Sequence, residues 1–363
     1  LAEKGFTAAA EFWGRALTND VTIRLNVGYS ALPENVLGST RSTFVSTETR
    51  TVQNHMRAGG TTALDAAVKN NLPTLDAAGA LSVVTSGFQD PLKGLGVDTS
   101  YQVFDNDGSD NNALTRMTSA NAKALGLDLR PRSVDGEITF SNEFLFDFAP
   151  GDGIGAKAID FIGVATHEIG HALGFVSGVD RYDYLGAPGG PQAESFADAD
   201  AQSGSWGETL DLFRYSDNPN GFADGDPLLD WSVGTDSYFS IDGGKTAFMD
   251  GYFSTGAFNG DGRQASHWKD APSKSQFGIM DPTVAHGQMS TVTALDLAAM
   301  DAIGWNTRTD VLANPGYAFS SSNIYSSTVP EPAAWALMTV GFGLVGTAVR
   351  RRRAAVAPDL LSA

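Results

Sequence analysis

The segment Thr166-His167-Glu168-Ile169-Gly170-His171-Ala172-Leu173-Gly174-Phe175 constrains what this chain can become more than any other. It contains H-E-x-x-H. Around it Ile159, Ile162, Ala165, Ile169, Ala172 and Leu173 recur at mixed spacings of three and four, as in a helix buried in a core. A helical turn takes about 3.6 residues, so side chains four apart share a face, with Cβ atoms roughly 6 Å apart. His167 and His171 can therefore reach one Zn2+ at about 2.0–2.1 Å. Glu168 can lean over the open coordination position and is the candidate general base. Histidine is scarce here, five in 363 residues, and two of the five lie in this motif. A polar pair in an apolar helix needs a partner, because unsatisfied buried polar groups are costly; a metal would supply one.

The length suffices for one large or two ordinary domains, and 42% apolar residues can supply a core. Acidic residues outnumber basic ones, 42 to 24, for a net charge of −18. Such a body repels nucleic acid and anionic membrane surfaces, which excludes a nucleic-acid partner. Cysteine is absent, so disulfides, thiolate ligands, a cysteine nucleophile and cysteine-based latency are excluded. The chain begins at Leu1 with no methionine and no signal-peptide pattern. Its original N-terminus is expected to be missing, which is compatible with a removed export signal.

Residues 6–17 read as a helix with Phe6, Phe12, Trp13 and Leu17 on one face. Val21, Ile23, Leu25 and Val27 then alternate with Thr22, Arg24 and Asn26, the pattern of a half-buried strand. A helix is expected over 60–71, before Pro73, and a strand over Tyr101–Phe104. That strand runs into Asp105-Asn106-Asp107-Gly108-Ser109-Asp110. Asp105, Asp107 and Asp110 are a candidate Ca2+ site, without the spacing or terminal Glu of an EF-hand; a solvated turn is the competing reading. Glu137–Phe140 is a short strand ahead of the aromatic segment Phe144–Phe148 and the breaker Pro150–Gly153. A strand placed so near the motif helix suits addition of an extended peptide, the alternative being an ordinary core strand. From about 178 to 262 Gly, Asp, Ser and aromatic residues predict loops and short strands, with no repeat of fixed period. Residues 291–304 read as an amphipathic helix with Leu295, Ala298, Ala299 and Ile303 buried and Gly304 as C-cap.

Catalytic zinc sites ordinarily have three protein ligands and one open position, so two histidines leave the set incomplete. His55, His267 and His286 remain. The compact metzincin pattern H-E-x-x-H-x-x-G-x-x-H places its third histidine where this chain has Ser177, although Gly174 matches its glycine. Much further on come Ala265-Ser266-His267-Trp268 and Phe277-Gly278-Ile279-Met280-Asp281-Pro282. This arrangement resembles the leishmanolysin-like metzincins, in which an insertion separates the glycine from a third histidine in a Ser-His-Trp context, followed by a Met-turn. The resemblance covers about residues 138–305. It implies His267 as third ligand, Met280 as the Met-turn methionine and Gly174 as the glycine by which the chain leaves the helix. The site and not the wider architecture is carried over from it; the fold expected is α+β, with a zincin-like catalytic domain over 1–315 that has a mixed twisted sheet, the active-site helix and an irregular C-terminal subdomain from 175. Lack of cysteine departs from leishmanolysin, whose fold is disulfide-bonded. A rival third ligand is Glu194, which with Asp198 forms the E-x-x-x-D that gluzincins use. His286 reads as a surface or secondary-site histidine and His55 as structural.

Val329-Pro330-Glu331-Pro332 precedes seventeen uncharged, mostly apolar residues, Ala333–Val349, and then Arg350–Arg353. The run is at the short end for a membrane helix, with basic residues at one flank. These parts resemble the PEP-CTERM sorting signal of Gram-negative bacteria (329–353). The resemblance implies export to the cell envelope or beyond, transient anchoring through 333–349, and an exosortase that removes the tail; a plain C-terminal membrane anchor is the alternative. Residues 316–328 are expected to be a linker and 354–363 a short tail.

The expectation is thus an exported zinc metalloendopeptidase acting on a protein or peptide substrate. Zn2+ lowers the pKa of a water, Glu168 takes its proton and passes it to the leaving amine, and Tyr252 is a candidate oxyanion stabiliser. A non-catalytic surface or matrix protein with a structural zinc site is the reading from another class.

Overall fold

The computed structural model describes residues 1–127, 133–196, 202–217, 222, 227–270 and 276–328. Helix α1 (Ala2–Ala16) is rich in alanine, the strongest helix former, and buries Ala8, Ala9, Phe12 and Trp13. The strand expected over 21–27 starts later, as β1 (Leu25–Ser30). Upstream of it, Thr18 N–H goes to the Asn306 carbonyl and Arg24 N–H to the Asp135 carboxylate. Backbone donors used in this way are unavailable to a ladder, so Val21 and Ile23 reach the core from extended, unpaired chain.

β1 pairs in parallel with β7 (Gly136–Ser141), and β2 (Gly38–Ser42) pairs antiparallel with β7 on its other side. β7 is therefore the central strand. Both its edges are taken, so the peptide-adding strand expected there is a core strand, and β1 and β2 are the edges, β2 being the one beside the motif helix. β3 (Phe44–Glu48) pairs antiparallel with β6 (Leu114–Thr118), and β4 (Val83–Gly87) with β5 (Asp98–Asp105). Between β3 and β4 come α2 (Thr49–Gly59) and α3 (Ala63–Asn71). α3 starts three residues later than expected because Thr62 and Asp65 close a reciprocal capping box. α2 has no counterpart in the sequence reading. α4 (Asp110–Ala113) and α5 (Ser119–Ala124) flank β6, and β8 (Phe146–Asp147) pairs with β9 (Ile159–Asp160), which leads into α6 (Phe161–Leu173).

Beyond α6 the chain is irregular, as expected: α7 (Val179–Arg181), a π turn over Tyr182–Gly186, α8 (Ala193–Phe196), and a small sheet of β10 (Arg214–Ser216), β11 (Leu228–Leu229) and β12 (Tyr238–Phe239). It is nonetheless deeply packed, with Trp206, Phe239, Phe253 and Trp268 buried. The closing segment is β13 (Thr291–Thr293) followed by α9 (Ala294–Ala302). All nine residues of α9 are buried, so the amphipathic helix expected here is an interior one with two buried aspartates, Asp296 and Asp301. Gly304, at φ 106°, follows its end.

Residues 316–328, expected as a linker, are folded. β14 (Ala318–Ser320) pairs with β13, and α10 (Ser321–Thr328) packs on α1. Phe319 stacks on Phe12 at 5.6 Å, Arg15 bonds Ser327 at 2.7 Å and Ile324 is 1% exposed. Tertiary partners far upstream order a stretch whose own composition is that of a loop. One buried apolar cluster runs from Ala8 to Ile324. The architecture is thus mixed α and β with several small sheets.

Candidate metal centre

α6 is set in place at both ends and along one side. The Asp160 carboxylate accepts Gly163 N–H at 2.9 Å, an N-cap, and Ser290 N–H at 2.9 Å. Trp13 Nε1–H donates to the Thr166 carbonyl at 3.0 Å, and Trp305 Nε1–H to that of Leu173 at 2.8 Å. The helix stops at Gly174, whose φ of 122° strongly disfavours any other residue; a Cβ there would also lie 2.9 Å from that of Asn121.

His167 and His171 project together, and His267 joins them from the far end of the irregular region. Their Nε2 atoms form a triangle with sides of 3.0 Å (167–171), 3.2 Å (171–267) and 3.2 Å (167–267). Each Nδ1 faces a backbone carbonyl: Ile279 at 2.7 Å, Phe175 at 2.7 Å and Gln264 at 3.2 Å. A carbonyl only accepts, so each Nδ1 carries the proton and each Nε2 of a neutral ring presents a lone pair. Burial holds the rings neutral, pulling His167 down to about 4 and His171 to about 3, the latter also through His167. His267 is held well below its ordinary value by burial and by the other two rings.

Three lone pairs thus point at one another with no hydrogen to share, an arrangement that a cation relieves. Ligands at 2.0–2.1 Å on a tetrahedral metal sit about 3.3 Å apart, within a few tenths of an ångström of this triangle. Among the described residues these are the only three His, Asp or Glu side chains whose ligand atoms lie within 4.8 Å of one another. The donor set fits a metal ion.

Met280 is fully buried beneath the helix, where a Cβ on Gly170 would lie 2.5 Å from its Sδ. Ile279, whose carbonyl orients His167, and Met280 both donate backbone N–H groups to Asp296 of α9, at 2.8 and 3.2 Å. The same carboxylate accepts Trp268 Nε1–H at 2.9 Å, and the Met280 carbonyl accepts Trp268 N–H at 3.0 Å. Asp296 therefore ties the residue after His267 to the segment that supports His167.

Glu168 is 5% exposed, and burial raises its carboxyl to about 7 against the opposing hydrogen bond from Thr40. That hydroxyl lies 2.7 Å from Glu168 Oε2 and 2.9 Å from the Glu168 carbonyl. Gly38 comes so close that a Cβ would lie 2.6 Å from Oε1. The edge strand β2 thus borders the carboxylate adjacent to the histidines.

The remaining sequence candidates lie elsewhere. Glu194 is exposed on α8 and outside the cluster, in which His267 is the third member; Asp198 lies outside the described residues. His286 is exposed, and His55 bonds the Leu125 carbonyl at 2.9 Å, a structural role. Asp105, Asp107 and Asp110 are not gathered into a cation site. The Asn111 and Asn112 amides donate to Asp105 at 2.7 and 3.0 Å, while Ser109 N–H and Gln202 donate to Asp107 at 2.8 and 2.6 Å. Donors occupy oxygens that Ca2+ would need. Tyr252 is 37% exposed and packs on Tyr238 at 5.9 Å, with its carbonyl accepting Lys269 N–H. Sequence reasoning missed Thr40 and Asp296; only the latter carried a signal, the capping pattern Thr293-x-x-Asp296.

The model of the PEP-CTERM protein-sorting motif matches residues 328–353. This is a sorting signal recognised by exosortases, and it implies export and sorting to the cell envelope. No curated protein and no solved structure matches the chain. No helix of the described residues is long and apolar enough to cross a membrane; residues 333–349 lie outside them.

Proposed function

We propose that this chain is an exported zinc-dependent endopeptidase of metzincin type, with a distant third histidine. The observation that carries this reading is the triangle of three Nε2 lone pairs, with the carboxylate of Glu168 next in sequence. His167, His171 and His267 would hold Zn2+, which when bound acts as a Lewis acid toward a peptide carbonyl and makes water more acidic.

Glu168 takes the proton of the attacking water and returns it to the leaving amine. Its place in the motif, beside the first histidine and with Thr40 on its other oxygen, suits a group that takes and returns a proton. Beside it, β2 pairs with β7 on one side only. Its other edge offers main-chain groups to an extended substrate, which would lie antiparallel or parallel to β2 and cross Glu168. Met280 forms the floor under the histidines, and Gly174 turns the chain out of α6 so that the insertion can return with His267. Exposure of β2 is what favours an endopeptidase, since a strand edge places no demand on either peptide terminus.

Purified protein should cleave casein, lose that activity to a chelator and regain it with Zn2+. Glu168→Gln should retain zinc and lower kcat by about 10²–10⁴-fold. A folded, zinc-loaded sample that cleaves no member of a diverse peptide library would overturn the assignment in favour of a binding protein with a structural zinc.

A further inference from the structure

We propose that Asp180 is the positioning residue that seats the third ligand, His267; the inference rests on the reading of the histidine triad as a metal site. A metal ligand must be placed to within about 0.2 Å, yet His267 lies at the end of a long irregular segment. Its own ring contact does little to locate it. The Nδ1 bond to Gln264 is the longest of the three at 3.2 Å and only three residues away in the chain. The ring is as well placed as the backbone that delivers it.

That backbone is clamped by Asp180, six residues past Gly174. Its carboxylate accepts Ala265 N–H at 2.5 Å, Ser266 N–H at 3.0 Å and the Ser266 hydroxyl. The Ser266 oxygen in turn accepts Ser177 N–H at 2.9 Å. On the other side of the same peptide, the buried Arg214 guanidinium donates to the Ala265 carbonyl at 3.3 Å and to that of Ser254 at 2.6 Å. Ser254 N–H then holds the carbonyl of His267 itself, at 3.0 Å. Asp180 thus couples the exit of the histidine helix directly to the two residues before the third ligand.

A neighbouring carboxylate offers an internal control. Asp183, also buried, likewise accepts three bonds: Phe258 N–H at 2.8 Å, Asn259 N–H at 3.0 Å and the Asn259 amide at 2.9 Å. It holds the same returning segment, but not the residues next to His267. A merely structural role predicts equal effects at the two positions, and a positioning role does not.

The test is titration of the metal-free full chain with Co2+ and Zn2+, reading affinity and the visible ligand-field band of bound Co2+, which is intense when four-coordinate and weak at higher coordination. The wild type should give the intense band. Asp180→Asn should lower affinity on the order of 10-fold or more and weaken the band toward that of His267→Ala, with a smaller shift in the same direction for Ser266→Ala. Asp183→Asn should lower the melting temperature yet keep the wild-type band and affinity. Unchanged band and affinity in Asp180→Asn, or equal losses in Asp183→Asn, would overturn the proposal while leaving the metal site intact. If Asp180→Asn does not fold, Ser266→Ala carries the same two outcomes. A wild type with no four-coordinate band sinks the metal reading, and this inference with it.

Discussion

The backbone N–H of Ser177 donates to Oγ of Ser266 at 2.9 Å, across 89 residues of sequence. Ser177 stands where the compact metzincin pattern places its third histidine, and it binds the residue immediately before His267, the histidine proposed for that role here. The Ser177 hydroxyl is itself turned away, to Asp211 at 2.6 Å. The proposed ligand set is tested by removing its third member. His267→Ala should lose stoichiometric zinc, measured by elemental analysis of the purified protein, whereas Glu194→Ala should keep it. Full zinc and activity in the first variant would remove His267 from the site.

Gly38 tests the link between the edge strand β2 and Glu168, the proposed general base. An alanine methyl would lie 2.6 Å from Oε1 of Glu168 and 2.8 Å from its Cγ, so the carboxylate has to move. Gly38→Ala should retain zinc and lose on the order of 10²-fold in kcat, as misplacement of a reacting group by about 1 Å does. Gly28→Ala on β1, where nothing lies within 4 Å, is the control and should be silent in steady-state kinetics.

Asp296 accepts four N–H bonds, the three from Trp268, Ile279 and Met280 plus Thr293 N–H at 2.7 Å, and shares the Thr293 hydroxyl, at 3.0 Å, with the Phe277 carbonyl. In Asp296→Asn an NH2 group faces some of those donors and strands them in the interior. A destabilisation of about 3 kcal/mol or more is expected from urea denaturation; a change below about 1 kcal/mol would mean that the donors find other partners.

Thr62 has one hydroxyl hydrogen and two carboxylate neighbours, Asp65 and Asp301, each at 2.9 Å. One hydrogen cannot serve both at once, so a proton held within the Asp65–Asp301 pair is favoured. Burial, chiefly, and the Asp65 charge raise the Asp301 carboxyl to about 7. The sign follows from proton uptake on folding. With the folded pKa above the unfolded value near 3.9, this contribution is complete at low pH and is lost as pH rises from about 4 to 7. Asp301→Asn keeps a donor for Thr62 and an acceptor for Thr307. Its melting temperature relative to wild type should therefore climb across that window and then level off. A constant difference would show that Asp301 is ionised throughout.

The folded 316–328 segment predicts where the body ends. A chain stopped at 328 should melt like the full-length protein. Stopping at 316 removes Phe319 from its stack on Phe12 and the buried Ile324, and should cost about 3 kcal/mol or more. Equal melting temperatures for the two truncations would restore the linker reading.

What the sequence determined by itself was local chemistry. His167, Glu168 and His171 were legible because helical periodicity places residues one turn apart on the same face, and Gly174 because its backbone demand is its own. His267 and Met280 were reachable only through flanking residues that resemble a known pattern. The helix over 161–173 and the irregularity of 178–262 could be read from composition and period, whereas α2, the central position of β7 and the folding of 316–328 could not. Tertiary structure alone decided that Asp180 grips residues 85 positions away and that Thr40 meets Glu168 across 128. The reason is physical: periodicity encodes which face of an element is apolar, but a buried carboxylate is indistinguishable in sequence from a solvated one until the donors that satisfy it arrive from distant chain.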